Sequence, residues 1–155
     1  MGLDMFLNKR TYVKDYDVSV ISKKDGQQAG HIQPTRIYYI IEEVMYWRKA
    51  NAIHNWFVQK CQKGIDVCQE TEIYREKLEE LLALCSKVLS KPEGKQRDKY
   101  ATKHLPPTSG FFFGPTEIGN GYYQDLEDTR DAISKLLKDN TPDDYTVSYY
   151  YNASW

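Results

Sequence analysis

The closing segment, residues 145–154, constrains the fold more than any other part of the chain. Its apolar residues recur at every second position, the period of a β-strand with one buried face. They are Tyr145, Val147, Tyr149, Tyr151 and Ala153, alternating with Thr146, Ser148, Tyr150, Asn152 and Ser154. Leu3, Met5 and Leu7 alternate in the same way near the start. Strands at both ends with helical patterns between them predict an α+β fold, in which about three helices cover one face of an antiparallel sheet.

Three helical patterns lie between those strands. The main one covers residues 35–60, where apolar residues recur every three or four positions, and Gly64 ends that region. Thr71 is the predicted N-cap of a second helix, which Pro92 and Gly94 terminate. A third helix covers residues 123–138, with acidic residues at its start and lysines at its end, as the helix dipole favours.

The remaining segments predict loops and short strands. Residues 16–21 are rich in Val and suit a second strand that pairs with the first. Residues 23–26 predict a turn, and residues 26–34 a loop. Residues 91–104 are polar and mildly basic, which predicts a mobile loop. The aromatic run at residues 109–114, bounded by glycines, predicts a short internal strand.

Length and charge narrow the class of protein. A chain of 155 residues with 41% hydrophobic residues predicts a single domain spanning residues 1–155. Its 21 basic and 22 acidic residues give a net charge of -1, which argues against a broad nucleic-acid-binding surface and against mimicry of DNA by massed carboxylates. Thirteen tyrosines supply rigid amphipathic contact area, which favours a protein-binding surface.

Cysteine usage and apolar runs indicate the compartment. Cys61, Cys68 and Cys85 are an odd number without a CxxC pair, and no signal-like apolar run opens the chain. Both features predict a reducing, cytoplasmic location. The apolar runs are far shorter than the roughly 20 residues of a membrane span, so no membrane partner is expected.

The reactive side chains do not form a recognised catalytic signature. His54 and Cys61 share a face of the predicted main helix, but two turns separate them by about 10 Å, too far for a direct hydrogen bond. The prediction is a core cysteine beneath a histidine that hydrogen-bonds locally. Adding Cys68 makes only a weak zinc set. We therefore expect a non-enzymatic protein with no catalytic residues and no metal site.

Two further patterns have simple explanations. Gly119 and Gly121 faintly resemble a phosphate cradle, but the other glycines and the following Lys-Ser or Lys-Thr are missing, so a turn is predicted. The acidic pairs Asp143-Asp144 and Asp125 with Asp128 are explained by turn and helix-start chemistry rather than by a bound cation. No cofactor is expected.

The aromatic residues exceed what one face of a small sheet must bury. Core packing accounts for most of them, and the exposed remainder is predicted to form an interface. The predicted partner-binding residues are Tyr46, Trp56 and Tyr150, which lie off the main apolar stripes, together with Lys95, Arg97 and Lys99 of the basic segment.

Four stretches of the sequence, GLDMFL at 2–7, EVMYWRKANAIHNWFV at 43–58, SGFFFG at 109–114 and the terminal SW, resemble a family of small, largely uncharacterised proteins of bacteriophages and prophages. The family has no established activity to transfer. The resemblance implies a mobile-element setting, and hence an inhibitor that docks on a host defence protein, such as an anti-CRISPR protein on a CRISPR effector nuclease. The alternative is a phage metabolic enzyme or nucleotide-binding protein with its site between the main helix and the sheet.

Overall fold

The protein has an α+β fold built on a four-stranded antiparallel sheet. A computed structural model describes residues 2–14 and 19–155. The sheet has the strand order β4-β1-β6-β5, with β1 at Asp4–Tyr12, β4 at Tyr39–Arg48, β5 at Thr71–Ile73 and β6 at Val147–Ser154. The two terminal strands, β1 and β6, are neighbours in the sheet, which confirms the central sequence prediction.

Helices cover one face of the sheet. They are α1 at Asn51–Lys60, α2 at Arg75–Leu89, α3 at Lys95–His104 and α4 at Asn120–Asp139. The predicted third helix is confirmed as α4, but α4 begins three residues earlier than predicted, so the acidic residues expected at its start lie beyond its first turn. The second helix is also present as α2, but its predicted N-cap is wrong because Thr71 belongs to β5.

The predicted main helix is wrong over its first half. Residues 39–48 form β4, and the α-helix covers only Asn51–Lys60. A bulge explains the misleading spacing: Leu7 of β1 pairs with Met45 while Asn8 pairs with Glu43, which leaves Val44 as an extra residue. The bulge interrupts the strict alternation, so the apolar residues of β4 fall at spacings that resemble a helix. Lys49, with a φ of 60°, separates the strand from the helix.

Two segments in the second half of the chain also differ from prediction. The basic segment is the helix α3 rather than a mobile loop, and it is held by buried Ala101 and by Leu105 just beyond its end. The aromatic run is a turn rather than a strand, since Phe112 has a φ of 67° and Gly114 a φ of 85°. Asn51 anchors this turn, because its amide donates to the carbonyls of Phe113 and Pro115.

The long connection between β1 and β4 contains a small hairpin. Its strands are β2 at Lys23–Lys24 and β3 at Gln27–Gln28. Asp25 and Gly26 between them have φ angles of 53° and 78°, which confirms the predicted turn. The predicted loop that follows includes β3 and the start of a short 3-10 helix at Pro34–Arg36. Of the predicted strand at residues 16–21, residues 16–18 lie outside the described part of the chain, and residues 19–21 are not in a strand.

The core lies between the sheet and the helices. The sheet side of the core includes Leu3, Met5, Leu7 and Tyr151. Phe57 of α1 belongs to the same cluster of buried residues. The ring of Tyr151 stacks on that of Phe57 with centroids 3.9 Å apart. Within residues 2–14 and 19–155, every helix is too short or too polar to cross a membrane.

Candidate functional site

The outer face of the sheet is the face turned away from the core. Cross-strand pairs define it, because directly paired residues project to the same side. Phe6 pairs with Tyr46 and with Asn152, Asn8 with Tyr150, Arg10 with Ile41, and Tyr12 with Tyr39. We call this set the outer face. Its members alternate along β1 with Met5 and Leu7, which are fully buried on the other side.

Aromatic rings dominate the outer face. The rings of Phe6 and Tyr46 have centroids 5.4 Å apart, and those of Tyr12 and Tyr39 are 5.3 Å apart. Tyr39, Ile41 and Tyr46 are exposed by 47%, 59% and 43%. Large apolar side chains with that much exposure, grouped on one surface, are typical of interfaces.

Polar contacts hold several of these rings in place. The Tyr46 hydroxyl donates a hydrogen bond to Asp4, and this bond raises the pKa of Tyr46. The Arg10 guanidinium lies 3.9 Å from the centroid of the Tyr150 ring, and its Nη2 donates to Glu70 at 2.6 Å. The side chains are therefore ordered before any partner arrives, which lowers the entropy cost of binding.

The structure brings two of the predicted partner-binding residues together. Tyr46 and Tyr150 both belong to the outer face, Tyr46 exposed and Tyr150 half-buried beneath Arg10. The prediction that Trp56 is exposed is wrong, since the side chain is only 4% exposed. Its ring lies edge-on to that of Phe57 with centroids 5.3 Å apart, and seven of the ten residues of α1 are buried, so burial extends beyond the predicted apolar stripe. Among the described residues, its indole nitrogen has no hydrogen-bond partner.

The three basic residues lie on α3, in the helix layer rather than on the outer face. Lys95 and Lys99 are exposed as predicted. Arg97 is buried, with 8% exposure, which corrects the prediction. Its Nη2 donates to the carbonyl of Leu89 at 3.1 Å, and its guanidinium lies 4.3 Å from the centroid of the Tyr123 ring. Arg97 therefore joins α3 to α2 and α4.

His54 is buried and fully engaged, but not locally. Its Nδ1 lies 2.7 Å from the Tyr151 hydroxyl, and its Nε2 lies 2.9 Å from Asp66 Oδ2. These partners are 97 and 12 residues away in sequence, so the prediction of a local hydrogen bond is wrong. Cys61 is only half-buried, and burial raises the pKa of its thiol to about 11. A protonated thiol is a poor nucleophile at neutral pH.

The Gly-Asn-Gly segment begins a helix rather than forming a turn, which corrects that prediction. Gly119 is the N-cap of α4, and Gly121 lies in its first turn. The first residues of α4 and of α1 line one cavity of about 420 Å³, together with Arg48 and Lys49. Asp125 also lines it, and burial, followed by the nearby Asp128, raises the pKa of Asp125 to about 6.

The other acidic pair has the structural role predicted for it. Asp144 Oδ1 accepts hydrogen bonds from the backbone N–H and the hydroxyl of Thr146, and these bonds lower the pKa of Asp144. This is the chemistry of a turn. In the described part of the chain, no group of three or more His, Cys, Asp or Glu side chains is arranged to hold a metal ion.

Comparisons with protein-family models, with curated proteins and with solved structures return no significant match. Sequence reasoning missed Asp66, Phe6 and Arg10, which complete the His54 network and the outer face. The signal for Phe6 and Arg10 was available, because both alternate with the buried residues of β1.

Proposed function

We propose that this chain is a non-enzymatic protein-binding module whose contact surface is the outer face of the sheet. The observation that carries the proposal is the cluster of ordered aromatic side chains there, led by Tyr46 and Tyr150. Tyrosine and arginine are enriched among the residues that dominate interface binding energy. The near-neutral charge of the chain favours contact with a protein over capture of nucleic acid.

The second part of the proposal concerns the identity of the partner. The sequence resemblance to phage and prophage proteins supports an inhibitor that acts in the cytoplasm of an infected or lysogenic bacterial host. Its partner would be a host defence protein, such as a CRISPR effector nuclease. Binding through a broad, pre-ordered face suits inhibition by occlusion or by locking one conformation, which requires no chemistry from the inhibitor.

The test is affinity capture with matched variants. Wild-type protein is immobilised beside Tyr46→Ala and Tyr150→Ala, and beside Tyr145→Ala as a control. Tyr145 is 94% exposed but precedes β6 and lies outside the outer face. A specific partner should be retained by wild type and by the control and lost by both outer-face variants. Equal retention by all four proteins would remove the outer face from the interface.

The proposed anti-CRISPR role is tested by a separate assay. Purified CRISPR effector nuclease is mixed with the wild-type protein, and cleavage of a target DNA is measured. Inhibition that disappears with Tyr150→Ala would support both levels of the proposal. Capture of a different protein, with no effect on the nuclease, would keep the binding module and discard the anti-CRISPR role.

A second candidate function rests on the cavity of about 420 Å³ at the start of α1 and α4. Helix N-termini and the cations Arg48 and Lys49 favour an anionic ligand, while Glu117 and Asp125 in the same lining oppose it. A nucleotide-binding protein or phage metabolic enzyme is therefore the alternative. A thermal-shift screen with nucleotides discriminates between the two. A ligand at a hundred times its dissociation constant would stabilise the fold by about 2.7 kcal/mol.

A further inference from the structure

A separate cavity of about 370 Å³ opens beside Trp155, on the helix side of the sheet. Its lining comes from α1, from the aromatic turn after Thr108, from the loop around Asp66, and from Trp155. Neither Tyr46 nor Tyr150 lines this cavity, so the cavity is separate from the outer face.

Three aromatic rings form the walls of this cavity. Phe113 is buried, while Trp155 is 46% exposed and Phe111 is 78% exposed. The rings of Phe113 and Trp155 have centroids 6.0 Å apart at an interplanar angle of 67°. Such rings present electron-rich faces, which attract organic cations. The strong exposure of Phe111 at the rim is costly in water and leaves the cavity open to a ligand.

The polar end of the cavity carries one carboxylate. Asp66 Oδ1 accepts a hydrogen bond from the Trp155 indole at 3.2 Å, and Oδ2 lies 2.9 Å from His54 Nε2. An ionised carboxylate only accepts, so His54 Nε2 carries a proton and donates to Oδ2, while Nδ1 lies 2.7 Å from the Tyr151 hydroxyl. The network therefore fixes the orientation of Asp66.

Asp66 is the one carboxylate among the described residues that line the cavity. None of them is Lys or Arg, Asn55 and Gln59 are uncharged amides, and the two ring nitrogens of His54 are engaged by Asp66 and Tyr151. Each oxygen of Asp66 accepts one hydrogen bond within the protein and keeps a further lone pair for a ligand. An oriented carboxylate beside aromatic faces fits a planar cation that both stacks and donates.

We propose that this cavity binds the guanidinium group of an arginine side chain from a partner protein. The guanidinium would stack against Phe111 or Trp155 and donate to Asp66. An ammonium group is a compact point charge and would use the carboxylate but gain less from the rings. The arginine partner rests on the proposed protein-binding function, while the cation site itself does not.

The test titrates the isotopically labelled 155-residue protein with N-acetylarginine amide and follows the three indole N–H resonances of its tryptophans. The Trp155 signal, assigned with Trp155→Phe, should shift saturably, while those of Trp47 and Trp56 stay in place. N-acetylcitrulline amide, the neutral isostere, should bind about tenfold more weakly or worse, because it lacks the charge. Equal binding of the two probes, or an unmoved Trp155 signal, would overturn the proposal.

Matched variants locate the site. Phe111→Ala should weaken binding of the arginine probe by about tenfold, whereas Tyr145→Ala, an exposed aromatic residue that does not line the cavity, should leave it unchanged. Equal losses in both would contradict the assignment. Asp66→Asn should abolish the preference for arginine over citrulline. If that variant does not fold, the proposal is still tested by Phe111→Ala and by the salt dependence of the wild-type affinity. Binding of a cation to Asp66 should weaken as salt is added.

Two further probes test the class of cation. N-acetyllysine amide should bind more weakly than the arginine probe, and tighter binding of choline would replace the guanidinium with a free quaternary ammonium ligand. Because the probes contain no protein, a failure here leaves the outer-face proposal standing. A failed capture experiment with Tyr46→Ala and Tyr150→Ala likewise leaves the cavity untouched.

Discussion

Tyrosine has a different role on each of the two faces of the sheet. Tyr151 is completely buried, stacks on Phe57 and contacts His54 through its hydroxyl. Its neighbour Tyr150 points to the opposite face, where it lies half-buried beneath Arg10. One residue of register therefore decides whether a tyrosine stabilises the fold or becomes available to a partner.

The inner face should dominate stability. Leu7→Ala removes a fully buried side chain from β1 and should destabilise the fold by about 2 to 5 kcal/mol, because it leaves a cavity in the core. Asn8→Ala, on the outer face one residue later, is the matched control and should cost far less. Urea unfolding measures both. Similar losses at the two positions would show that the faces are not energetically distinct.

The outer face should dominate binding. Tyr150→Ala should weaken the partner complex by about 2 kcal/mol, a loss of roughly thirtyfold, while the melting transition remains cooperative. Affinity is measured by calorimetry and folding by thermal melting on the same samples. Unfolding of the variant would place Tyr150 with the core residues, and unchanged affinity would remove it from the interface.

The fold was largely predictable because its strongest signals are local. The alternation at the two chain ends predicted β1 and β6, and the inward stripe of Leu78, Leu81 and Cys85 predicted α2. The main helix was mispredicted because the extra residue Val44 shifts the alternation of β4, and only pairing with β1 reveals the strand. The pairing register between two strands that are distant in sequence cannot be predicted from the local pattern of either one.

The candidate sites were predictable only in part, since burial depends on neighbours that are distant in sequence. Tyr150 follows from alternation along one strand, and Tyr46 is exposed as predicted although its segment is a strand rather than a helix. Trp56 lies off the main apolar stripe of α1, but its side chain is nevertheless buried in the folded protein. The contact of His54 with Asp66 and Tyr151 depends on tertiary folding, so spacing within one helix could not predict it.

A hydroxyl deletion sharpens the contrast between the two tyrosines. Tyr151→Phe keeps the ring but leaves His54 Nδ1 without its buried partner, which should cost about 1 to 3 kcal/mol. Tyr150→Phe loses a hydroxyl on the half-buried outer face and should be close to neutral. The two unfolding free energies are compared directly. A neutral Tyr151→Phe would mean that another group satisfies His54.

The smallest expected effect concerns the exposed lysines of α3, and it tests whether the helix layer takes part in binding. Lys95→Gln combined with Lys99→Gln should change the unfolding free energy by less than about 0.5 kcal/mol, because isolated surface charges contribute little. Arg97→Gln is the contrasting variant: it removes a buried contact with Leu89 and Tyr123, and should cost more. If the partner binds only the outer face, the double lysine variant should also keep the association rate and its salt dependence. A slower, less salt-dependent association would extend the interface onto α3 and end the simple division between a stabilising side and a binding side.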